Sequence, residues 1–406
     1  MQEEDAFLAA IRERPDDDGP RLVFADYLDE QASSRGIFIR IQCALAKMGE
    51  DDPRRTSLEE QERYLLEANR HVWTAPFRGL TGLEVFRRGF VEQVNIESRV
   101  FLMRAEELFA RGPIRRVCLL DVAGLLDHIV ASPYLARLTE LSISKQHLGD
   151  GLAKALADSP HVTRLTALNL GRNRLGDTGA EILARAGNLA NVKQLDLGEN
   201  GIGDGGARSL AMSRHWQKLE TLGLANNEIG FGGLEALAAS DRLPSLTALG
   251  LSENAVGRQR AYPFHGETAE PRLKFLDLSE NGLNQASIGS VLTSPHLLAL
   301  ELLNLNRNLL GNGGLEALAG STVMQTLRVL YLNSNRIGDE GARALARSPQ
   351  LERLTVLDLG YNPIHDAGAM ALLEAGALRT LKKLGVPKLG LSHRMRRALM
   401  ARFDKL

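Results

Sequence analysis

Residues 201–206, Gly-Ile-Gly-Asp-Gly-Gly, are the part of this 406-residue chain closest to a cofactor-binding motif. They match G-x-G-x-x-G between a strand-like and a helix-like stretch, where glycines let a helix N-terminus approach a pyrophosphate. The related run Asn-Arg-Leu-Gly-Asp-Thr-Gly occupies the equivalent place one repeat earlier, at residues 173–179. The glycines therefore indicate a repeated structural unit, and no cofactor is predicted.

Side chains that bind metals or act as nucleophiles show no catalytic spacing. The nine histidines are scattered, without H-x-x-x-H or H-E-x-x-H spacing, and Cys43 and Cys118 are the two cysteines. A catalytic site needs a nucleophile, a base and an orienting group, and no such set is recognisable. The sequence therefore predicts a non-enzymatic protein without a metal, a cofactor or a small-molecule substrate.

Apolar residues at one recurring position could instead form a binding surface. Phe275, Leu302, Val329 and Val356 follow one another at an interval of 27 residues, and we call them the apolar row. If this interval separates successive strands, which lie ~4.8 Å apart, the four side chains form one ridge. They could also serve only to stabilise neighbouring strands through cross-strand contacts. Two tyrosines and three carboxylates complete the predicted partner-binding site: Tyr331, Tyr361, Asp277, Glu280 and Asp358.

The same 27-residue interval runs through most of the chain. An apolar residue, a Leu three places later and an aliphatic residue two further recur ten times, from residue 138 to residue 381. Aliphatic residues two apart point to one side of a strand, and so into a core. In eight units an Asn follows three places later, where a buried amide can satisfy backbone donors and acceptors. These ladder asparagines are Asn173, Asn200, Asn227, Asn254, Asn281, Asn308, Asn335 and Asn362, and their absence at Gln146 and Leu389 is predicted to mark the two ends.

Each unit continues with a sequence typical of a short helix. After the Asn come an aliphatic residue, a Gly and often an Asp, as at Asp177, Asp204 and Asp339. Because Asp is a favourable N-cap residue, these side chains are predicted to cap the helix that they begin. Pro263 interrupts this pattern and predicts a loop within residues 255–265, which is a second candidate for partner binding.

The two ends of the chain differ from the repeats. Residues 1–75 are predicted to form a small domain of four helices, because their apolar residues recur at helical spacing. Residues 76–137 alternate like strands around Arg88-Gly89 and are predicted to form an N-terminal cap of degenerate repeats. The regular repeats occupy residues 138–389, and residues 390–406 are predicted to form a capping helix.

Two resemblances follow from these motifs. The pattern L-x-x-L-x-L-x-x-N-x-[IL]-G-D-x-G-A, at residues 165–180, 192–207 and 327–342, resembles the ribonuclease-inhibitor-like class of leucine-rich repeats. This resemblance implies an α/β fold, a right-handed solenoid shaped as a horseshoe. Residues 21–30, 38–42 and 88–90 are similar to the repeat-companion domain that bacterial proteins place before repeat arrays.

Charge balance and the first resemblance together suggest a function. Lys and Arg number 49 against 50 for Asp and Glu, which argues against general attraction to nucleic acids or membranes. The acidic N-terminus and the lack of a long apolar segment favour a cytoplasmic protein. We therefore predict an interaction scaffold whose concave face binds a protein partner. The alternative, implied by the resemblance alone, is a regulator that inhibits or activates a specific enzyme such as a nuclease or a small GTPase.

Overall fold

The computed structural model describes residues 2–258, 270–387 and 390–404. The chain divides into two compact units, the first comprising Met1–Gln146 and Ser159–Leu168, the second His147–Asp158 and Asn169–Leu406. From residue 259 onward the predicted loop within residues 255–265 lies outside the described residues, as does Leu389.

Four helices open the first unit. They are α1 (Gln2–Glu13), α2 (Gly19–Glu30), α3 (Ser34–Lys47) and α4 (Arg55–Trp73). Pro20 lies in the first turn of α2, where a missing backbone N–H removes no hydrogen bond from the helix. Apolar residues of these helices are buried, among them Phe24, Phe38 and Ile39.

Four strands and two helices follow in the same unit. Strand β1 (Leu83–Arg87) pairs antiparallel with β2 (Phe90–Glu97), so the predicted alternation around Arg88-Gly89 is a hairpin. Strand β2 pairs parallel with β3 (Arg116–Leu120), and β3 pairs parallel with β4 (Glu140–Ser142). The helices α5 (Ser98–Ala110) and α6 (Leu126–Val130) connect these parallel strands, and β5 (Ala167–Asn169) is the next strand in the chain.

The helices of the first unit share an aromatic core with the hairpin. The rings of Phe24 and Phe90 lie 5.9 Å apart, and Phe38 meets Phe86 edge-on at 5.6 Å. Each such ring contact contributes roughly 0.5–1.5 kcal/mol beyond the burial of its area. That residues 1–75 fold in isolation stays a prediction. A fragment ending at residue 75 would lack Phe86 and Phe90 and would expose the ring faces of Phe38 and Phe24 that contact them.

A glycine allows the hairpin turn to approach α3. Gly89 has a φ of +87°, and a Cβ at this position would overlap Ile39. The Gly89 N–H donates to Gln42 Oε1 at 2.6 Å, which holds the turn against the helix. The Arg-Gly-Phe sequence at residues 88–90 therefore combines a left-handed backbone with a close approach that other residues do not permit.

A buried ion pair joins α2 to β2. Arg21 is fully buried, and its Nη2 lies 2.6 Å from Glu92 Oε1, in a side chain that is also buried. Arg21 also donates to the carbonyls of Pro15 and Arg88, at 3.0 and 3.2 Å. Burial raises the pKa of Glu92, while the positive charges of Arg21 and Arg88 act in the opposite direction. Arg88 lies 3.6 Å from the same Glu92 oxygen, so a second positive charge supports the pair.

The second unit repeats a strand, a turn and a helix. Its strands from Gln194 onward are three residues long and pair parallel in chain order: β6 (Gln194–Asp196), β7 (Thr221–Gly223), β8 (Ala248–Gly250), β9 (Phe275–Asp277), β10 (Leu302–Asn304), β11 (Val329–Tyr331), β12 (Val356–Asp358) and β13 (Lys383–Gly385). Its helices are α7 (Asp150–Asp158), α8 (Gly176–Arg185), α9 (Asp204–Ala211), α10 (Phe231–Ala238), α11 (Gln285–Leu292), α12 (Gly311–Ala319), α13 (Asp339–Ala346), α14 (Asp366–Glu374) and α15 (His393–Arg402).

The core of this unit lies between the strand layer and the helix layer. In one repeat Leu195 and Leu197 are buried, and so are Ala207 and Leu210 of the following helix. The strand residues between the leucines face outward. This arrangement is an α/β solenoid, in which each repeat, here called a coil, buries its apolar side chains against the next.

The ladder asparagines connect neighbouring coils. Asn254 is buried, and its amide nitrogen donates to Leu224 O of the preceding coil at 2.8 Å and to Leu251 O and Ser252 O of its own coil at 3.1 Å. Its Oδ1 accepts from the Ile229 N–H of the preceding coil at 2.9 Å. Seven of the eight asparagines donate in this way to a leucine carbonyl of the coil before. One side chain therefore satisfies backbone groups in two coils.

Gln146 takes a similar role in the first unit. Its Oε1 accepts from the Val122 N–H at 3.1 Å, and its Nε2 donates to Ser144 O at 3.1 Å. Gln146 lies 24 residues after Val122, and its side chain, longer than that of asparagine, reaches this residue. A glutamine thus replaces the asparagine amide where the repeat interval is irregular.

The predicted helix caps connect coils as well, which corrects the sequence-based assignment. Asp204 begins α9, yet its Oδ1 accepts from the Gly230 and Gly233 N–H groups at the start of α10, at 2.7 and 2.9 Å. The N-cap position of α9 is Gly203, so Asp204 lies one residue too late to cap its own helix. A Cβ on Gly233 would lie 2.7 Å from the Asp204 carboxylate, so a glycine is needed there.

The same contact recurs along the second unit. In each case an Asp or Asn near the start of one helix accepts from backbone N–H groups near the start of the next helix. The pairs are Asp177 with Gly203, Asn312 with Gly338 and Gly341, Asp339 with His365 and Gly368, and Asp366 with Ser392. For Asp177 and Asp339, too, the prediction that they cap the helix they begin is wrong, because the capped helix belongs to the following coil.

We expect Asn254→Leu to destabilise the second unit. The substitution leaves the buried Ile229 N–H without its acceptor, which costs about 1–3 kcal/mol. The Leu224 and Leu251 carbonyls each lose one donor and keep the amides of Asn227 and Asn281. In a Trp73→Phe background, urea unfolding followed by Trp216 emission measures this unit.

The matched control for Asn254→Leu is Asn226→Gly, in the same kind of turn. Asn226 is exposed and has a φ of +53°, which glycine adopts freely. Its loss should change the free energy of unfolding by less than about 0.5 kcal/mol. Equal unfolding midpoints for the two variants would contradict a structural role of the ladder.

We expect Arg21→Met to destabilise the first unit by up to about 3–5 kcal/mol, because it removes the close partner of the buried Glu92 carboxylate and leaves it Arg88 at 3.6 Å. The double variant Arg21→Met/Glu92→Leu should recover much of this loss, since both charges of the pair are removed. Trp73 emission in a Trp216→Phe background reports unfolding of this unit. The control is Arg54→Met, whose side chain is 74% exposed in its pair with Asp52. An Arg21→Met effect as small as that of Arg54→Met would show that the buried pair contributes little.

Candidate protein-binding surface

Strand pairing brings the apolar row together. Phe275 pairs with Leu302, Leu302 with Val329, and Val329 with Val356, each in register on neighbouring parallel strands. The Phe275 side chain is 36% exposed, and the three aliphatic residues are half-buried. The four side chains therefore form one continuous apolar strip on the outward face of β9–β12. Ala248 precedes it and Lys383 follows it at the same strand position.

A second row runs parallel to the first, two residues further along each strand. It consists of Asp277, Asn304, Tyr331 and Asp358, which pair in the same register. Tyr331 is half-buried and is the aromatic member of this row. Three of the predicted site residues therefore lie beside the apolar row.

Two predicted binding carboxylates also have a local structural role. Asp277 Oδ1 accepts from the Ser279 N–H at 2.9 Å, and Asp358 Oδ1 accepts from the Gly360 N–H at 2.8 Å. Asn304 makes the same contact with the Asn306 N–H at 3.1 Å. This Asx turn ends the strand, and it needs an acceptor oxygen and no charge. The presence of Asn304 at the equivalent position is the sequence signal for this role.

Glu280 and Tyr361 occupy the residue before a ladder asparagine. The backbone is left-handed at all eight such positions, with φ between +52° and +61°: Arg172, Glu199, Asn226, Glu253, Glu280, Arg307, Ser334 and Tyr361. Glu280 pairs with Arg307 of the next coil at 2.9 Å, where both side chains are solvent-exposed, so the pair contributes at most about 1 kcal/mol. Tyr361 is 74% exposed, which makes its ring accessible to a partner.

A cavity of about 720 Å³ adjoins Asp358 and Tyr361, and we call it the terminal cavity. Leu384 and Val386 line one part of it, and Met400 and Phe403 of the C-terminal segment line another. Sequence reasoning missed these residues, because they belong to the last repeat and to the predicted capping helix. The apolar stripe of α15 was the available signal, and it correctly includes Leu399, which is 3% exposed. Met400 lies outside this stripe and is 53% exposed, so the stripe does not indicate it.

A second cavity, of about 630 Å³, lies within the first unit. Six basic and six acidic side chains line it. Most are paired, as in Lys47 with Asp18 at 2.8 Å and Arg116 with Glu140 at 2.9 Å. This balance of charge favours no particular class of ligand.

The glycine-rich run and the Cys43 thiol offer no reactive group. The Gly203 N–H of the G-x-G-x-x-G run donates to Asp177 Oδ1 at 2.7 Å, so a carboxylate of the chain itself occupies the place of an anion. Burial raises the pKa of the Cys43 thiol to about 11, which leaves little thiolate at neutral pH. No cluster of His, Cys, Asp and Glu suited to a metal ion occurs among the described residues. Within the same residues, no helix is long and apolar enough to cross a membrane.

Comparison with known proteins relates the repeats to one family. A model described as a leucine-rich repeat matches residues 163–184, 188–211, 215–238, 323–346 and 353–373. Each matched stretch contains one strand and one helix of the structure. No curated protein matches the chain.

Several solved structures are similar to the chain at low sequence identity. An internalin from Listeria monocytogenes is 16% identical, with 73% of this chain and 87% of that chain covered and a TM-score of 0.39. A chain of the yeast Rad7 and Elc1 complex is 17% identical over 94% of both chains, with a TM-score of 0.40. A leucine-rich-repeat protein from Leptospira interrogans is 16% identical over 80% of this chain and 93% of that chain, with a TM-score of 0.38. Five stretches of the chain therefore match leucine-rich repeats, and the structure stacks them as strand–helix coils of an α/β solenoid.

Proposed function

We propose that this chain is a non-enzymatic interaction scaffold that binds a protein partner through the apolar row and the residues around it. The observation that supports the proposal is the exposed ring of Phe275 in register with Leu302, Val329 and Val356. Monomeric proteins rarely expose contiguous apolar surface without a use for it. Partner binding would remove this surface from water.

The choice of residues along the strands favours binding over simple sheet stabilisation. Earlier coils carry Glu140, Gln194 and Thr221 at the position of the apolar row. These strands form with polar residues at that position, so pairing does not require an apolar one. Ala167 and Ala248 hold the same position with a small side chain, whereas four consecutive later coils have a large apolar residue there. Protein interfaces commonly concentrate their binding energy in such a central apolar group with a polar rim.

The carboxylates around the row suggest the charge of the partner. Asp277 and Asp358 flank the row, and each has one oxygen that accepts a backbone N–H. Glu280 lies nearby in its exposed pair with Arg307. A partner with an apolar centre and basic residues at its edge would complement this arrangement.

We infer further, more detailed features of this scaffold that the sequence predicts. These are a right-handed horseshoe of the ribonuclease-inhibitor-like class, partner binding on its concave face, and a bacterial, cytoplasmic protein. The 27-residue interval and the helices of the described coils, such as α9 and α13, support the class. The companion-domain resemblance includes residues 38–42 and 88–90, and the close packing of Gly89 on Ile39 supports it by bringing these two segments together. A regulator of a nuclease or a small GTPase would use the same surface, with the enzyme as the partner.

We expect the double variant Phe275→Ser/Tyr331→Ser to lose partner binding without unfolding. Truncating an anchor residue of an interface typically costs about 2 kcal/mol or more, and each 1.4 kcal/mol corresponds to roughly tenfold in affinity. The measurement is quantitative recovery of proteins by the tagged full-length chain, with circular dichroism to verify the fold. Recovery of the partner should fall at least about tenfold.

The matched control is Met212→Ser/Met370→Ser, which removes two apolar side chains that are 74% and 42% exposed on the helix side. It should recover the same partners as the unmodified chain. A folded Phe275→Ser/Tyr331→Ser protein that recovers every partner at undiminished yield would place the binding site elsewhere.

A further inference from the structure

The terminal cavity has the size of a side-chain or small-ligand site. Its volume of about 720 Å³ falls within the roughly 300–1,000 Å³ of known ligand pockets. It is formed by residues that follow strands β11–β13 together with residues of α15 and the segment after it. It therefore lies at the carboxyl ends of the last strands, beside the second row of side chains.

Its walls combine fixed and adaptable apolar groups. Leu384 and Phe403 are 5% and 6% exposed, so they provide a rigid surface within the core. Tyr361 and Met400 are 74% and 53% exposed. An exposed Tyr and an exposed Met are typical of interfaces, since a Tyr ring offers area at low entropic cost and a thioether adapts to different shapes. The cavity is therefore suited to one large apolar side chain.

Two carboxylates line the same cavity. Asp358 lies at the end of β12, and Asp404 follows α15. Neither side chain takes part in an ion pair within the described part of the chain. Among the described lining residues the basic one is Arg396, which donates through Nε to the Leu391 carbonyl at 3.1 Å, close to the start of its own helix. These described residues carry two negative charges and one positive charge, which favours a basic group on the ligand.

The position of Asp404 is fixed by the backbone. Its N–H donates to Lys382 O at 2.8 Å, and its carbonyl accepts from the Leu384 N–H at 3.1 Å, so this residue pairs with β13 like a further strand. The Asp358 carboxylate is likewise held by the Gly360 N–H. The Asp358 carboxylate and the Asp404 backbone are therefore in place before a ligand arrives, which reduces the entropic cost of binding.

We propose that the terminal cavity binds a peptide segment that presents a large apolar side chain next to a Lys or Arg. The inference rests on the proposed role as a protein-binding scaffold, and it names a second element of the partner. The apolar side chain would lie between Tyr361 and Met400, and the basic group would lie near Asp358 and Asp404. The pairing of Tyr331 with Asp358 makes the cavity continuous with the second row, so one partner can reach both.

The test uses four short fluorescein-labelled peptides of glycine and serine with Phe-Arg, Phe-Asp, Ser-Arg or Ser-Asp at the centre. Their binding to the full chain is followed by fluorescence polarisation. In parallel, methyl-labelled methionine resonances locate the site, because the chain has 8 methionines and Met400 lines the cavity. We expect the Phe-Arg peptide to bind at least about tenfold more tightly than the other three. It should shift the Met400 resonance and leave those of Met212 and Met370 unchanged.

Variants separate the contributions of shape and charge. Met400→Glu should weaken the Phe-Arg peptide at least about tenfold, whereas Met370→Glu, on an exposed face of α14, should not. Asp404→Asn should reduce the preference for Arg over Asp while retaining the preference for Phe. Equal binding of all four peptides, no binding, or an unshifted Met400 resonance would each overturn the proposal.

The Phe275→Ser/Tyr331→Ser variant distinguishes this proposal from the proposed function. It should still bind the Phe-Arg peptide, because neither residue lines the cavity. Loss of the partner with retained peptide binding supports both proposals. If the variant binds the peptide and still captures the partner at undiminished yield, only the role of the apolar row is contradicted. If the variant loses the partner and the peptide does not bind, only the proposal for the cavity is contradicted.

Discussion

The distance and register between coils depend on amides that are shared by two coils. Asn254 accepts from Ile229 and donates to Leu224, both in the preceding coil, at 2.9 and 2.8 Å. A strand of three residues cannot satisfy these buried backbone groups by itself, and unpaired groups would oppose folding. The shared amides hold the strands in register, and the register aligns Phe275 with Leu302. The surface proposed to bind a partner is therefore a consequence of hydrogen bonds on the other side of the sheet.

Sequence reasoning succeeded where a feature is local and repeated. The two-residue spacing of Leu195 and Leu197 is sufficient to predict a strand with one buried face, and the alternation around Arg88 is sufficient to predict strands on both sides of it. The sequence assigned these strands to degenerate repeats, whereas β1 and β2 pair antiparallel as a hairpin. Sequence reasoning failed for Asp204, because capping rules describe backbone groups two or three residues ahead. The actual partner, Gly230, is 26 residues ahead and becomes a neighbour only when coils stack. Contacts of this kind follow from the solenoid and not from a local rule.

The candidate site likewise has parts that the sequence predicts and parts that it does not. The alignment of the apolar row follows from the repeat interval, whereas the double role of Asp277 becomes clear only from the bond to Ser279. The terminal cavity was not predictable, because Asp358 and Asp404 belong to different elements and no repeated position relates them. Its shape depends on how α15 packs on the last coil, and the α15 sequence indicates a buried stripe but no contact partner.

The ladder asparagines bond toward the N-terminal side of the array, so the two ends of the array differ in the groups that they leave unpaired. Each amide bonds to backbone groups of the coil before it, as Asn362 does with Leu332 O, Asn335 N and Ile337 N. Removing a coil from the C-terminal side would therefore leave main-chain N–H groups of its predecessor without an acceptor, and among substitutions only proline removes such a group. Removing a coil from the N-terminal side would orphan side chains, which mutation can replace. Shortening by gene deletion should thus be easier to repair from the N-terminal side, and a new C-terminal end needs a folded segment to cover it.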